Sequence, residues 1–385
     1  MRWRMLAVLF AARMAMAFQF QAVAALSGAY QDGYGVGLDN LGFLIGLYLS
    51  PGIVIAFPSG VIGSWLGGKR GVGLGLALMT LGAVLALLAG NWSTEVTARL
   101  LAGTGGVLLN VLMTKMVTDW FAKKDIATAM GLFVNSWPVG IALALVTLPA
   151  FHARFGMFGA DVCVLVVCTM ALAIFMLSYR NPPDLVEAHA GPLFGPPGGL
   201  RPVIGAVLSG LIWGGMNAGL AISFSFGSPL LAEFGFDATG AAARTSLILW
   251  ALAVTTPLGG IIADRSGRYD LVIAVSILGF AGAMALAASG AASLTAFVIA
   301  GACAGLCAGP IMSLPSGALP THWRAQGMGL FFTTYYVVML IAPPLAGVAA
   351  ETTGTLAASF SVGAGFILFC LPCLVALRRF RVQAT

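Results

Sequence analysis

Charged side chains are scarce in this sequence, and their scarcity argues against a soluble protein. Only 8% of the 385 residues are charged and 59% are hydrophobic, whereas roughly 25% of the residues of a typical soluble domain are charged. The mean hydropathy is +0.98. Apolar runs recur along the whole chain, and about 20 such residues span the hydrocarbon core of a bilayer as a helix. We therefore predict a multi-pass membrane protein.

Residues that serve catalysis and metal binding are also rare. The three histidines fall at the ends of apolar runs or between them, and the six cysteines lie within the runs. We interpret Cys370 and Cys373 as small apolar packing residues rather than a redox pair or zinc site. No set of acid, base and nucleophile converges near one place. We therefore expect no enzyme activity, no metal and no cofactor.

The apolar runs divide into two groups of six. A proline-rich stretch at residues 180–202 separates them and is predicted to be a cytoplasmic central linker. We predict an all-α membrane protein with 12 transmembrane helices in two six-helix pseudo-symmetric bundles, at residues 1–179 and 203–385. The runs lie near residues 5–29, 40–64, 71–89, 95–118, 126–149, 156–178, 203–225, 241–263, 271–289, 292–316, 326–349 and 356–377.

The positive charges predict the orientation in the membrane. With the N-terminus inside, most of the 19 basic residues fall at cytoplasmic loops or helix ends. We expect a monomer in the cytoplasmic (inner) membrane with both termini in the cytoplasm, and the net charge of +6 gives no reason to expect nucleic-acid binding. The first 29 residues imitate a secretory signal, but Arg13, Gln19 and Gln21 interrupt the apolar stretch, so we interpret them as a retained span.

A short loop signature occurs twice and indicates a duplication. The second copy runs from Gly260 to Arg268 and the first, more degenerate, from Gly60 to Arg70, while the sequence Met-Gly-Leu-Phe at 130–133 returns at 328–331. The first copy has Ser64 where the second has an acid, so we predict that the second half carries the stronger cytoplasmic latch. The predicted latch residues are Gly60, Ser64, Gly67, Arg70, Gly260, Asp264, Arg265, Gly267 and Arg268.

Twelve spans in two related halves, with the pattern G-x-x-x-D-R-x-G-R at Gly260, resemble the major facilitator superfamily. Arg99, Gly103 and Gly105 also resemble its R-x-x-x-G-x-G motif in span 4. The resemblance implies a transporter whose spans 1, 4, 7 and 10 line a central cavity. Residues 110–121 and 135–140 further resemble, loosely, the cyanate and nitroimidazole transporter group, and more faintly nitrate and nitrite carriers.

Ionisable side chains at membrane depth cost about 2.5–3.5 kcal/mol on insertion scales and are therefore functional candidates. The acidic residues fall in loops or at span ends, and only Asp161 enters a span, about one turn deep. The deep charges are Arg13, Arg99 and Lys115. Arg13 either binds a planar anion or hydrogen-bonds backbone carbonyls. Arg99 either contacts substrate or pairs with Asp161 or Glu95, and Lys115 either faces the path or extends to the interface.

Neutral polar and aromatic side chains near mid-span complete the predicted substrate site. For each of them, an interhelical hydrogen bond or a core contact is the alternative role. The candidate substrate-binding residues are Arg13, Gln19, Gln21, Asn110, Asn135, Trp137, Asn217, Tyr335 and Tyr336.

These features predict a secondary active transporter that moves a small anionic organic solute by alternating access, as a symporter or an antiporter. One alternative is a proton-coupled exporter of drugs or cationic solutes, which normally requires a deep acid. An alternative of another class is a transporter-like membrane sensor. The sequence leaves the substrate, the direction of transport, the coupling ion and the preferred conformation open.

Overall fold

The protein is described here from a computed structural model that covers residues 1–183, 199–290 and 293–380. Within those ranges it consists of α-helices and two 3-10 helices, without strands. Most of the predicted linker, residues 184–198, lies outside the described residues. The α-helices are α1 (Arg2–Ala25), α2 (Ser27–Tyr34), α3 (Leu38–Leu47), α4 (Gly52–Leu66), α5 (Gly68–Leu87), α6 (Trp92–Phe121), α7 (Ile126–Ser178), α8 (Arg201–Glu233), α9 (Ala238–Ser266), α10 (Tyr269–Ala288), α11 (Ser293–Ala318), α12 (Arg324–Thr353) and α13 (Ala357–Leu377). The 3-10 turns are Thr321–Trp323 and Arg378–Phe380.

Eleven helical segments among the described residues are long and apolar enough to cross a membrane. One of them, α7, has 53 residues, which at about 1.5 Å per residue far exceeds a hydrocarbon core about 30 Å thick. Its backbone breaks at Gly156, where φ is 67° and ψ is −169°. The helix α7 therefore contributes two spans, and the prediction of twelve is confirmed.

Two predicted boundaries differ from the structure. Residues 150–155, predicted to join two spans, continue the first arm of α7, because the break occurs only at Gly156. The first predicted run, 5–29, is divided instead: α1 ends at Ala25 and α2 begins at Ser27. In both cases the apolar pattern gives the correct span but not the residue at which the backbone turns.

The chain packs as two compact units. Unit 1 comprises Met1–Trp120, Asn135–Phe194 and Arg324–Gly329, and unit 2 comprises Phe121–Val134, Gly195–Trp323 and Leu330–Thr385. Each unit therefore includes one short segment from the other sequence half. The predicted division at residues 180–202 stays a prediction.

Close helix packing in unit 1 positions the first candidate residue. At Gly140 on α7, an added Cβ would lie 2.3 Å from the carbonyl oxygen of Met14 on α1. Only glycine permits this approach, which is typical of small residues at helix contacts in membranes. The first arm of α7 thus lies against α1 beside Arg13.

Candidate functional site

Arg13 lies in unit 1 where three helices converge. Its side chain on α1 is 6% exposed, and its Nε donates a 3.0 Å hydrogen bond to Oδ1 of Asn110 on α6. The guanidinium carbon lies 5.8 Å from the ring centroid of Trp137 on α7. The Trp137 ring in turn packs against Phe20, with centroids 5.1 Å apart. The structure thus brings together three of the predicted substrate-binding residues, Arg13, Asn110 and Trp137.

The neighbours of Arg13 named above orient the guanidinium without cancelling its charge. The Asn110 amide is neutral, and a cation–π contact attracts the cation while leaving the charge in place. The Nε hydrogen bond is to a side chain, and a structural role for Arg13 through backbone carbonyls stays an alternative prediction. A guanidinium group can bind a planar oxyanion through two parallel N–H groups.

The hydrogen bonds of the Gln19 side chain indicate a structural role. Its Nε2 donates to the carbonyl oxygen of Met79 at 3.0 Å, and its Oε1 accepts a hydrogen bond from the Tyr48 hydroxyl at 3.3 Å. The side chain is 4% exposed, so both ends of the amide are engaged inside unit 1. Gln21 is half-buried, and it is not part of this network.

Arg99 binds backbone carbonyls instead of a carboxylate. Its guanidinium donates to the carbonyl oxygens of Leu44 at 3.1 Å, Gln19 at 2.8 Å and Phe20. The possible ion pair with Asp161 is not formed in the structure, although both side chains line one small cavity. The N–H groups of Arg99 instead stabilise the C-terminal part of α1, close to where α1 gives way to α2.

Two repeat-related positions carry buried polar atoms without hydrogen-bond partners. They are Oδ1 of Asn135 in unit 1 and Oγ1 of Thr333, 198 positions later, in unit 2. Leaving such an atom unsatisfied costs about 1–3 kcal/mol. An orphaned polar atom in each unit at the equivalent place calls for an explanation, and a ligand or a water would supply it.

The candidates in unit 2 belong to an aromatic cluster. The rings of Tyr335 and Tyr336 lie 4.9 Å apart, and Tyr335 lies 6.3 Å from Trp213 of α8. Asn217 donates to the carbonyl oxygen of Trp213 one turn earlier in the same helix, at 2.8 Å. Asn217 is therefore partly engaged in its own helix, whereas the rings provide π faces and hydroxyl groups.

The second copy of the loop signature holds the start of α7 within unit 2. Asp264 accepts hydrogen bonds from the backbone N–H groups of Ala127 at 3.2 Å and Thr128 at 2.7 Å, and from the Thr128 hydroxyl at 2.6 Å. An added Cβ at Gly260 would lie 2.3 Å from the Ala127 carbonyl oxygen. The carboxylate therefore caps a helix N-terminus, where the helix dipole favours negative charge. Arg265 and Arg268 are exposed, and Gly267 ends α9 with a φ of 66°.

The first copy retains the close approach but not the cap. An added Cβ at Gly60 would lie 2.3 Å from the carbonyl oxygen of Ala325, which is the repeat equivalent of Ala127. Ser64 donates back to its own helix, to the Val61 carbonyl oxygen at 2.7 Å. Gly67 has a φ of 77° between α4 and α5, and Arg70 is exposed.

Comparison with known proteins identifies the family. The model of the Major Facilitator Superfamily matches residues 8–343 and, in a second match, residues 203–384. The chain belongs to the major facilitator superfamily. It is therefore a transporter by family and not an enzyme. The narrower likeness to the cyanate and nitroimidazole transporter group stays a prediction.

One curated relative is "Probable anion transporter 3, chloroplastic" of Oryza sativa subsp. japonica, 31% identical over 126 residues. The matched region covers 32% of this chain and 23% of the length of that relative. The chain thus aligns with less than a quarter of the relative, and the match carries no assignment of substrate.

Solved superfamily structures share the whole fold. The Escherichia coli fucose:proton symporter FucP, as a variant, has a TM-score of 0.80 at 16% identity, with 98% of each chain covered. The human organic anion transporter MFSD10 has a TM-score of 0.74 at 15% identity, covering 97% of this chain and 99% of that one. The proton:xylose symporter XylE has a TM-score of 0.76 at 14% identity, covering 96% and 94%. At these identities the likeness shows the fold alone.

A buried charge cluster in unit 1 of this superfamily member was not anticipated. Asp119, whose side chain is 3% exposed, pairs with Arg324 at 2.6 Å and with Lys115 at 2.8 Å. The spacing of Lys115 and Asp119, one helical turn apart, could have indicated their pair. No spacing could have indicated Arg324, which lies 205 positions from its partner.

Proposed function

We propose that this chain is a secondary active transporter that moves a small anionic organic solute across the cytoplasmic membrane by alternating access. The observation that carries the proposal is Arg13. Its guanidinium is 6% exposed at membrane depth, is oriented by Asn110 and lies over the Trp137 ring. A charge in that position is costly, which favours a functional role for it.

The geometry of the guanidinium supports an end-on mode of anion binding. In the proposed mode a carboxylate binds the two terminal nitrogens while Nε stays bonded to Asn110 at 3.0 Å. These nitrogens match the two oxygens of a carboxylate in a bidentate pair. The Trp137 ring then offers an apolar face beside the anion. A small carboxylate with a flat or apolar body fits this description.

Other features support the same class of solute. The orphaned Asn135 Oδ1 accepts a hydrogen bond from any N–H or O–H group that approaches it, as a hydroxyl-bearing solute or a bound water provides. The printed names of two similar proteins, a probable anion transporter and an organic anion transporter, agree with an anionic substrate. Symport or antiport, and the inner-membrane location with both termini in the cytoplasm, belong to the proposal.

A ligand screen with a matched pair of variants tests the proposal. The purified chain is melted in the presence of small organic acids and inorganic anions, and each ligand that raises the melting temperature is then tested for uptake in proteoliposomes. Arg13→Gln should abolish both effects. Arg154→Gln removes the same charge from an exposed position in the same unit and should leave both unchanged.

Two results would overturn the proposal. If Arg13→Gln left the uptake of every anion at the wild-type rate, Arg13 would not contact the solute. If cationic compounds alone raised the melting temperature, the anionic class would be wrong. Binding of an anion without flux in proteoliposomes would instead favour the transporter-like sensor.

An exporter of drugs or cationic solutes is the second candidate, because two acidic side chains are more buried than their places in the sequence suggested. Glu95 is 3% exposed, and Asp161 lines a cavity beside it. This candidate expects a resistance phenotype that Asp161→Asn abolishes. It requires that transport of the solute depend on these carboxylates rather than on Arg13.

A further inference from the structure

A small polar cavity in unit 1 lies apart from Arg13. It has room of about 30 Å³, enough for about one water molecule. The side of α5 contributes only glycine and alanine to its wall. The polar side chains that line it are Gln19, Tyr30, Glu95, Arg99 and Asp161.

Two carboxyl groups therefore line one small cavity. Glu95, in the first turn of α6, is 3% exposed and accepts a 3.2 Å hydrogen bond from the Tyr30 hydroxyl. Asp161, on the second arm of α7, is half-buried. Two carboxylates that share a site cannot both ionise easily, because each charge disfavours the other and neither is well solvated.

The nearest cation does not bind either carboxylate directly. Arg99 directs its Nε and both terminal nitrogens to carbonyl oxygens of Leu44, Gln19 and Phe20. The positive charge of Arg99 still contributes to the net charge of the groups that line the cavity. With both acids ionised the three groups carry a net charge of −1, and one bound proton makes them neutral. Burying a neutral set costs much less than burying a net charge.

The two tyrosines near the acids, Tyr30 in the cavity wall and Tyr34 beyond it, stay neutral. Burial, with a smaller contribution from Glu95 and Asp161, raises the pKa of Tyr34 to about 12. The same causes raise the pKa of Tyr30 well above its ordinary value. Neither tyrosine can therefore supply or take up the proton near neutral pH. Within the cavity, the groups that can bind a proton near neutral pH are therefore the two carboxyl groups.

We propose that Glu95 and Asp161 share a single proton across this cavity and form a proton-binding site of the transporter. The proton bonds to one carboxylate oxygen and is exchanged with solvent, so the charge of the pair changes from −2 to −1 when it binds. The site does not depend on the charge of the transported solute. It would serve an anion carrier or an exporter equally.

A chain of contacts leads from the proton site to Arg13. Arg99 lines the cavity and donates to the carbonyl oxygen of Phe20. The Phe20 ring lies 5.1 Å from that of Trp137, over which the Arg13 guanidinium lies at 5.8 Å. A change of charge in the cavity alters the field at Arg99, and Arg99 is bonded to the helix that carries Arg13. If the two sites are coupled, each must affect the other by the same factor.

Infrared spectroscopy of the full chain tests the site without any substrate. A protonated carboxyl group has a C=O stretching band that disappears on ionisation and shifts in heavy water. We expect one such band in the wild-type protein at neutral pH, lost as the pH is raised. Glu95→Gln and Asp161→Asn should each remove it, since the remaining carboxylate is then balanced by Arg99 and stays ionised. Asp32→Asn, which changes an exposed acid on α2, should retain the band.

Melting temperatures provide a second readout. An amide resembles the protonated carboxyl group, so each single variant should melt within a few degrees of wild type at neutral pH, which also shows that it is folded. If one variant does not fold, the other decides. No protonated-carboxyl band in the wild type, or a band of full intensity in both Glu95→Gln and Asp161→Asn, would overturn the proposal. Loss of the band in Asp32→Asn would overturn it too.

Discussion

The contact between Gly260 and Ala127 makes a sharp prediction about helix packing in unit 2. An alanine at position 260 would place its Cβ 2.3 Å from the Ala127 carbonyl oxygen and 2.7 Å from the Thr128 Cα, both backbone atoms, whereas real Cβ contacts are essentially never shorter than 3.0 Å. The two helices must therefore separate by about 0.7 Å or distort, an overpacking that typically costs about 1–3 kcal/mol. The same shift lengthens the bond from the Thr128 N–H to Asp264, 2.7 Å in the native structure, toward the limit of a hydrogen bond.

We expect Gly260→Ala to lower stability by about 1 kcal/mol, since about 2 kcal/mol of overpacking is offset by about 1 kcal/mol from the better helix propensity of alanine. The matched control is Gly282→Ala on α10 in the same unit, where an added Cβ meets no atom within 4 Å. Thermal melting of both variants in one detergent should place Gly260→Ala below wild type and Gly282→Ala at or above it. If Gly260→Ala melted at or above the wild-type temperature, the close backbone contact would be wrong.

Two further predictions concern the charges near this contact and its repeat equivalent. Asp264→Ala removes three hydrogen bonds to the start of α7 and should cost about 1–2 kcal/mol of stability as a lost N-cap. Ser64→Ala removes only a hydrogen bond within its own helix and should cost less than about 0.5 kcal/mol. Equal losses of melting temperature in the two variants would contradict the asymmetry of the two copies. Asp119→Asn leaves Arg324 and Lys115 together without their acid and should cost about 3–5 kcal/mol, as for a broken buried pair, while Arg324→Gln leaves Asp119 paired with Lys115 and should cost less. The reverse order of melting temperatures would show that Lys115 does not share the charge.

The sequence predicted the number of membrane spans and their helical conformation because the cause of both is local. A run of about 20 apolar residues must form a helix in a bilayer, since no other conformation of a single segment satisfies its backbone there. The positions at which the helices break are determined less by the local sequence. Gly156 turns the chain with a left-handed φ, but the chain has 51 glycines, and nothing in the sequence distinguishes this one from those inside helices.

The site was only partly predictable, for a geometric reason. Arg13 could be chosen as a candidate because a charged residue deep in an apolar run is conspicuous. Glu95 could not, because its position in the first turn of α6 indicates depth along the helix but not whether the side chain faces lipid, water or protein. The spacing of Glu95 and Arg99 also suggests a pair, yet Arg99 bonds to carbonyl groups 55 to 80 positions away. Such partners depend on tertiary packing alone.

The two copies of the loop signature show how duplicated contacts diverged. Gly60 against Ala325 in unit 1 and Gly260 against Ala127 in unit 2 have the same 2.3 Å approach, so both units have the same close backbone packing at this place. The cap is retained only where Asp264 remains.

At the start of α12, which has no side-chain cap, the negative charge comes instead from Asp119, through its 2.6 Å pair with Arg324. A cap acts on backbone N–H groups and needs a carboxylate at one place, whereas an ion pair with the first residue of the helix can be supplied from another helix. Loss of the acid at position 64 is therefore tolerable in unit 1 as long as Asp119 and Arg324 are both present. The prediction of a stronger latch in the second half then becomes a comparison of Asp264→Ala with Asp119→Asn. If Asp119→Asn proves the more damaging, the first half holds its helix as firmly by a different contact.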